Sequence, residues 1–182
     1  MVNELERRAA LELRAVGDRI VGHAVVFDAR SRDLGGFVEV CRPSAVDRSL
    51  SGDVVALYNH DAGAVLGRTP KTLQLRKDDR GLAFELEPAA TQVGRDALEL
   101  VRRGDVTGAS FGFRTVRDAW RTEGGTTIRE LLDIEIAEIS LTAFPAYQQT
   151  DATIAQRSLQ AFQAQQGQRI DWLRRRALAV SR

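Results

Sequence analysis

The sequence has few of the residues from which crosslinks and metal sites are built. Its 182 residues include one cysteine, Cys41, and two histidines, His23 and His60. A lone cysteine cannot form an internal disulfide, and the chain has neither a Cys-x-x-Cys motif nor two histidines at metal-ligand spacing. We therefore expect no metal site and no other cofactor, and a mechanism that needs an imidazole base has only two candidates.

An excess of charge of one sign and long apolar runs are missing too. The 26 lysines and arginines are balanced by 25 acidic residues, which leaves a formal net charge of +1 and no overall field for a nucleic-acid backbone or an anionic membrane. No apolar run approaches the ~18 residues of a membrane span. Residues 1–14 lack the apolar core and cleavage site of a secretory signal. We expect a single-domain cytoplasmic protein whose partners include neither nucleic acid nor membrane.

Short alternating segments separated by turn residues dominate the rest of the chain. They predict one hairpin over residues 11–27, around Gly17, and a second over residues 73–86, around Gly81. Because most strands follow one another through short turns, the pattern favours a mostly β (α+β) fold, an antiparallel sheet or barrel with a few helices packed outside. Further strands are predicted at 34–41, 54–58, 106–116 and 128–141, a short helix at 43–50, a firm helix at 91–103 capped by Gly104, and a glutamine-rich helical tail after 151.

A Gly-x-Ser-x-Gly motif, Gly108-Ala109-Ser110-Phe111-Gly112, is the first feature that suggests chemistry. In α/β-hydrolases this motif carries the nucleophilic serine, but the histidine of that fold follows the serine along the chain. Both histidines of this sequence precede Ser110. The α/β-hydrolase interpretation therefore fails on chain order, whereas a serine nucleophile with an upstream histidine occurs on other folds.

Strand parity gives Ser110 a distinctive place. If residues 106–113 form a strand, Phe111 and Phe113 point to one face, and Ser110 lies on the other face between two glycines. That arrangement leaves room for a substrate backbone beside the hydroxyl. A serine in a glycine-rich strand that merely allows close packing is the alternative, and this segment alone favours it.

His60 and Glu138 are the candidates for the base and for the group that orients it. His60 follows the apolar strand 54–58, where a ring nitrogen can face a cleft, although a surface histidine beside a turn fits equally well. Glu138 interrupts an apolar stripe on its strand and therefore calls for a hydrogen-bonding or charged partner, either a histidine or an arginine. Asp61 is the alternative orienting carboxylate, and His23 fits better as a residue on a strand face.

Cys41 is the other candidate nucleophile, because a thiol can attack a carbonyl when it ionises. It ends an apolar strand, where a lone cysteine is more often a small buried hydrophobic residue.

Seven short motifs occur in order between about residues 18 and 157. They are Gly22-His23-Ala24-Val25-Val26-Phe27, Leu34-Gly35-Gly36-Phe37, Asn59-His60-Asp61, Leu66-Gly67-Arg68, Arg103-Gly104-Asp105-Val106, Ala109-Ser110-Phe111-Gly112-Phe113, and Glu138-Ile139-Ser140-Leu141-Thr142 with Pro145-Ala146-Tyr147. Together they resemble the prohead (capsid maturation) serine proteases of tailed bacteriophages. Two positions depart from the family: His23 stands where an aromatic residue is common, and Ala109 where methionine is common.

The resemblance implies a fold similar to the herpesvirus assemblin proteases, a β-barrel surrounded by helices. It also implies a serine endopeptidase that acts in the host cytoplasm, within the assembling procapsid, on scaffold or on the scaffolding segment of the major capsid protein, and often on itself. Carried over position by position, the family's histidine falls on His60, its nucleophile on Ser110 and its acidic residue on Glu138. Backbone N–H groups near Pro145-Ala146-Tyr147 are the candidate oxyanion hole.

The resemblance also divides the chain. We expect a protease domain over residues 1–157 and a helical tail over residues 158–182 that is processed or tethers scaffold, in a homo-oligomer that is a dimer or higher. The alternative function is a non-catalytic module for capsid assembly or scaffolding, which keeps the same barrel for protein contacts. A small esterase is a third interpretation, but it needs an apolar acyl pocket that the sequence does not indicate.

Overall fold

The computed structural model of the chain describes residues 5–11, 13–143 and 153–180. Strands make up 50% and helices 25% of the structure, so the prediction of a mostly β fold with some helices is confirmed. The strands are β1 (Glu6–Leu11), β2 (Leu13–Val16), β3 (Arg19–Val26), β4 (Val38–Cys41), β5 (Val55–Tyr58), β6 (Asp61–Arg68), β7 (Leu73–Lys77), β8 (Gly81–Leu86), β9 (Gly108–Glu123) and β10 (Thr126–Thr142); the helices are a 3-10 helix (Pro43–Ser51), α1 (Gln92–Arg103) and α2 (Thr153–Val180).

The two predicted hairpins form one antiparallel sheet in the order β2-β3-β8-β7. The first hairpin turns at Gly17, whose φ of 58° lies in the left-handed region that glycine adopts without a steric penalty. The second turns where the Asp78 carboxylate accepts the backbone N–H groups of Arg80 and Gly81, at 3.0 and 2.9 Å. Both hairpin predictions are confirmed.

The other sheet has six strands and contains the long hairpin β9–β10. Its main path runs β1-β9-β10-β5-β6, and β4 also pairs with β10. Strands β4 and β5 both run parallel to β10, so the prediction of antiparallel pairing is wrong for these two strands. That prediction assumed that consecutive strands pair with each other, whereas β4 and β5 lie end to end along one edge of β10 and both pair with it.

The 3-10 helix fills the gap between β4 and β5 along β10. Its Ser49 hydroxyl donates to the carbonyl of Ile134 at 3.2 Å and accepts the N–H of Ile136 at 3.0 Å. One buried side chain thus satisfies two backbone groups of β10 on the edge that faces away from β9, where no strand pairs with them. The chain therefore keeps its direction along β10 from β4 to β5. The residues that follow β5 consequently lie near the C-terminal end of β10.

Within the described residues the sheets stay open. The strand order ends at β1 and β6 in one sheet and at β2 and β7 in the other, and an apolar core with members from both sheets lies between them. The chain crosses from the six-stranded sheet to the four-stranded sheet between β1 and β2. The closed barrel is not confirmed, and the assemblin-like fold stays a prediction.

Helices α1 and α2 pack outside the sheets. Helix α1 begins at Thr91, whose side chain accepts the N–H of Gly94, and ends at Gly104 in the left-handed conformation, as predicted. The first turns of α2 pack on a small apolar cluster that includes Phe37 and Trp120. The division between residues 157 and 158 stays a prediction, and α2 runs through that position without a break.

Candidate active site

The β9–β10 hairpin places a row of small and polar residues on the face opposite the core. Phe111 and Phe113 of β9 are buried in the core, so the alternating residues Ser110 and Gly112 point away from it. Across the hairpin, Ser110 pairs with Ser140, and Gly112 pairs with Glu138. The face that parity predicted for Ser110 is thus the face that also carries the predicted carboxylate.

His60 reaches the same place from β5. In the parallel register of β5 and β10, Tyr58 lies beside Leu141, and the N–H of Asn59 donates to the Leu141 carbonyl at 3.0 Å. Asn59 and His60 then adopt φ values of 50° and 61°, so the chain turns sharply through the left-handed region. Non-glycine residues adopt this region rarely, and it is enriched at functional sites.

The imidazole of His60 lies against Glu138. Nδ1 of His60 is 2.7 Å from Oε1 of Glu138, although the two residues are 78 positions apart in the sequence. The same carboxylate oxygen accepts Nε–H of Arg7, in β1, at 2.9 Å. Burial alone would raise the pKa of Glu138, but the hydrogen bonds and charges of His60 and Arg7 outweigh it and hold that pKa below its usual value. Glu138 is therefore ionised at neutral pH and can orient the imidazole.

Gly112 makes room for this carboxylate. A Cβ atom added at Gly112 would lie 2.7 Å from Cγ and 2.9 Å from Oε1 of Glu138, closer than real contacts allow. The glycine is thus required by the position of its cross-strand partner. Its role in the motif differs from that of glycines around a nucleophile elbow, because β9 continues straight through it.

Ser110 lies in the row next to this pair, and its residue is 7% exposed. No hydrogen bond joins its hydroxyl to Nε2 of His60 among the described residues. Catalytic hydrogen bonds are often long before substrate binds, so this geometry is compatible with a nucleophile and its base. Ser140, directly opposite Ser110, is fully buried, and its hydroxyl has no hydrogen-bond partner in the part of the chain that the structure describes.

The competing candidates lie elsewhere or are occupied. His23, on β3, pairs through Nε2 with the Asp78 carboxylate at 3.0 Å, as expected for a strand-face residue. Asp61 accepts the backbone N–H of Gly63 at 2.7 Å, so it caps its own turn. Cys41 is buried, and burial raises the pKa of its thiol to about 12, which keeps the thiol protonated and unreactive. Pro145-Ala146-Tyr147, the candidate oxyanion segment, lies outside the described residues.

Two features of the site escaped the sequence analysis. Arg7 was not singled out because its segment did not predict a strand, and without β1 nothing places it beside Glu138. The unpartnered hydroxyl of Ser140 follows from a strand register that the sequence does not fix. Parity along β10 was the available signal for Ser140, since it puts residues 138 and 140 on one face.

The described residues contain no group of three or more His, Cys, Asp or Glu side chains that could hold a metal ion. Among the helices in these ranges, none has the length and apolar character needed to cross a membrane. The candidate site thus consists of the Ser110 hydroxyl on β9, the Glu138 carboxylate on β10 and the His60 imidazole in the turn after β5, with the carboxylate bound to Nδ1. That bond leaves Nε2 as the ring nitrogen that can exchange a proton with a substrate or a hydroxyl.

Comparison with known proteins gives one result. The family profile of the caudovirus prohead serine proteases matches residues 4–165. No curated protein and no solved structure matches the chain. The matched residues run from β1 into α2. Because the match spans far more than half of its length, the chain belongs to the family of caudovirus prohead serine proteases.

Proposed function

We propose that this chain is a serine endopeptidase of procapsid maturation in which Ser110 is the nucleophile, His60 the general base and Glu138 the residue that orients the base. The family indicates a protease role in capsid maturation and capsid-related protein substrates. The observation that carries the site assignment is the 2.7 Å contact between His60 Nδ1 and Glu138 Oε1, on the sheet face that also presents Ser110.

The chemistry follows from these positions. Ser110 Oγ attacks the carbonyl carbon of the scissile peptide, and its proton passes to Nε2 of His60. Glu138 accepts Nδ1–H throughout and stabilises the imidazolium. His60 then donates the proton to the leaving amine, and a water molecule, deprotonated by His60, hydrolyses the acyl-enzyme. Proton transfer of this kind accelerates a reaction by roughly 10²- to 10⁴-fold.

The substrates that we propose are the scaffold, the scaffolding segment of the major capsid protein, and the chain itself. The capsid interior is the expected place of action, and a dimer or larger homo-oligomer the expected state. The near-neutral net charge of +1 fits an enzyme that is packaged among proteins instead of along a nucleic acid.

The test is co-expression with the major capsid protein, followed by intact-mass measurement of the capsid protein. We expect the wild-type chain to create a new capsid N-terminus, and Ser110→Ala to lower the cleavage rate by at least ~10³-fold without loss of folding. Ser51→Ala, at an exposed serine that ends the 3-10 helix, is the matched control and should cleave normally. A fluorophosphonate probe should label the wild type and not Ser110→Ala.

Continued cleavage by Ser110→Ala would overturn the nucleophile assignment. A wild-type protein that neither cleaves nor takes the probe when assembled with capsid protein would favour the non-catalytic assembly module. For Glu138→Gln we expect a loss of roughly 10²- to 10⁴-fold in cleavage rate, because the amide keeps the shape of the side chain and removes the charge that orients His60.

A further inference from the structure

Arg7 approaches the candidate site from the edge of the sheet opposite to His60. Its Nε donates to Oε1 of Glu138 at 2.9 Å, and His60 Nδ1 meets the same oxygen at 2.7 Å. The Arg7 side chain is 41% exposed, and that of Glu138 only 9%. The carboxylate therefore lies between two donors, one from β1 and one from the turn after β5, on either side of the β9–β10 hairpin.

The strand register explains how Arg7 reaches this oxygen. Arg7 of β1 pairs with Gly112 of β9, and Gly112 pairs with Glu138 of β10, so the three residues form one row across the sheet. Since Gly112 has no side chain, the arginine can extend over it. Leu5 packs over the same position, where its Cδ2 would lie 2.9 Å from a Cβ at Gly112.

The other face of β1 holds the strand in this register. Glu6 and Arg8, the neighbours of Arg7, point into the protein and join buried ion pairs. Glu6 binds Arg129 at 2.6 Å, and Arg8 binds Glu39 at 2.8 Å. The backbone at Arg7 is thus held in place by the buried ion pairs of the residues before and after it.

We propose that Arg7 is a positioning residue of the protease: its Nε–H holds the Glu138 carboxylate in the orientation in which Oε1 receives Nδ1–H of His60. This inference rests on the proposed function. The Glu138 carboxylate has little contact with solvent, and the guanidinium fixes one of its oxygens. The imidazole of His60 can then donate to an oxygen that is already correctly placed. An ordinary exposed ion pair would contribute to stability alone, and only slightly.

The test compares Arg7→Gln, Arg7→Lys and a matched control, Arg68→Gln, in the full chain. Arg68 is also an arginine that donates Nε–H to a carboxylate, Asp53, but it lies on the exposed edge strand β6. Two rates are measured, the reaction of Ser110 with a fluorophosphonate and the cleavage of a peptide that spans the mapped capsid site. Rates are compared at the plateau of each variant's pH profile, so that a displaced profile is not counted as a loss of rate.

For Arg7→Gln we expect kcat and the fluorophosphonate rate to fall roughly 10- to 100-fold, the effect of losing one charge-assisted hydrogen bond. KM should stay within about twofold, since Arg7 contacts Glu138 and not substrate. Lysine has a methylene group where arginine has Nε, so Arg7→Lys should recover less than half of the lost rate on a logarithmic scale. Arg68→Gln should react at the wild-type rate.

Wild-type rates in Arg7→Gln or in Arg7→Lys would overturn the inference. The inference would also be overturned if the rate of Arg7→Gln fell only in proportion to its folded fraction, as measured by urea unfolding.

A crystal structure of Arg7→Gln in the Ser110→Ala background separates this inference from the proposed function, because it does not depend on proteolysis. We expect the Glu138 carboxylate to leave hydrogen-bond distance of His60 Nδ1 or to occupy two rotamers. A carboxylate found in its present place would overturn the positioning role even if Ser110 is the nucleophile. A displaced carboxylate would support the positioning role of Arg7 even if Ser110 is not the nucleophile.

Discussion

The two faces of β1 contribute to two charged clusters of different character. On the core face, Glu6 and Arg8 belong to what we call the buried ion cluster, whose side chains from Glu6, Arg8, Glu39 and Arg129 are at most 8% exposed. On the other face, Arg7 joins Glu138 and His60, whose side chains are 41%, 9% and 27% exposed. Alternate residues of one six-residue strand thus serve both clusters.

In the buried ion cluster the charges have several partners each. Arg129 binds Glu6 through both terminal nitrogens, Glu39 at 3.0 Å and Asp118 at 2.7 Å. Burial would raise the pKa of Glu6, but the hydrogen bond and charge of Arg129, with the charge of Arg8, hold it below its usual value. Such an arrangement fixes a structure, because moving any member would leave a buried charge unpaired.

In the second cluster, of Arg7, Glu138 and His60, one nitrogen of the imidazole is not hydrogen-bonded within the described residues. Glu138 is held by two donors, but the described residues show no hydrogen bond to Nε2 of the partly exposed His60. A group that must accept and release a proton cannot be saturated by permanent partners. The buried ion cluster thus holds β1 in place, whereas Arg7, on the other face of β1, contacts the carboxylate of the proposed active site.

The largest effect should come from breaking the buried ion cluster. Arg129→Met leaves Glu6 and Glu39 without their main partner, and we expect a loss of about 3 to 5 kcal/mol in the free energy of unfolding. Urea unfolding measures it. Arg48→Met removes a surface pair with Asp133 and should cost less than about 1 kcal/mol. Equal losses in the two variants would show that the cluster is not structural.

An intermediate effect should come from filling the space over which Arg7 extends. Gly112→Ala puts a methyl group 2.7 Å from Cγ of Glu138, which must move. We expect about 1 to 3 kcal/mol of destabilisation from overpacking, and a loss of roughly 10²-fold in fluorophosphonate labelling from the misplaced carboxylate. Gly167→Ala, in α2 with open space around it, should change neither the labelling rate nor the site. Labelling of Gly112→Ala at the wild-type rate would contradict the role of Gly112.

The smallest effect should come from removing the unpartnered hydroxyl beside the site. Ser140→Ala breaks no hydrogen bond among the described residues, so we expect the free energy of unfolding to stay within about 0.5 kcal/mol of the wild type or to rise slightly. Ser49→Ala, also buried, loses bonds to Ile134 and Ile136 and should cost about 1 to 3 kcal/mol. If Ser140→Ala costs as much as Ser49→Ala, the Ser140 hydroxyl has a partner in the folded protein.

Local patterns predicted the elements whose cause is local. Helix α1 has its cap residues Thr91 and Gly104 in the sequence, and the hairpins have their turn residues. Parity along single strands also predicted the face of Ser110, because the period of two is a property of one strand. Glu138 was predicted to need a partner because it interrupts an apolar stripe, but a register shift between Ile136 and Glu138 puts it on the face opposite the core. The need for a partner is met there by His60 and Arg7.

Pairings between distant strands were not predictable in the same way. β1 and β6 are rich in charged residues or in alanine and glycine, so neither has the β-branched pattern of a strand, and tertiary pairing with β9 and β5 decides their structure. Between the parallel strands β4 and β5, Ser49 bonds to a strand 85 positions away, a contact that no local pattern indicates. Open sheets instead of a barrel likewise follow from strand pairings and not from strand content.

The wide spacing of the site along the chain has a consequence for when activity can arise. Glu138 lies 78 positions from His60 and 131 from Arg7, and the strands that carry them pair only through long-range contacts. Such contacts form late, since the entropy of closing long loops must be overcome before they stabilise the chain. A partly folded chain contains the three residues without the contacts that join them. Under the proposed function, completed folding is therefore the first step that can give the chain its activity.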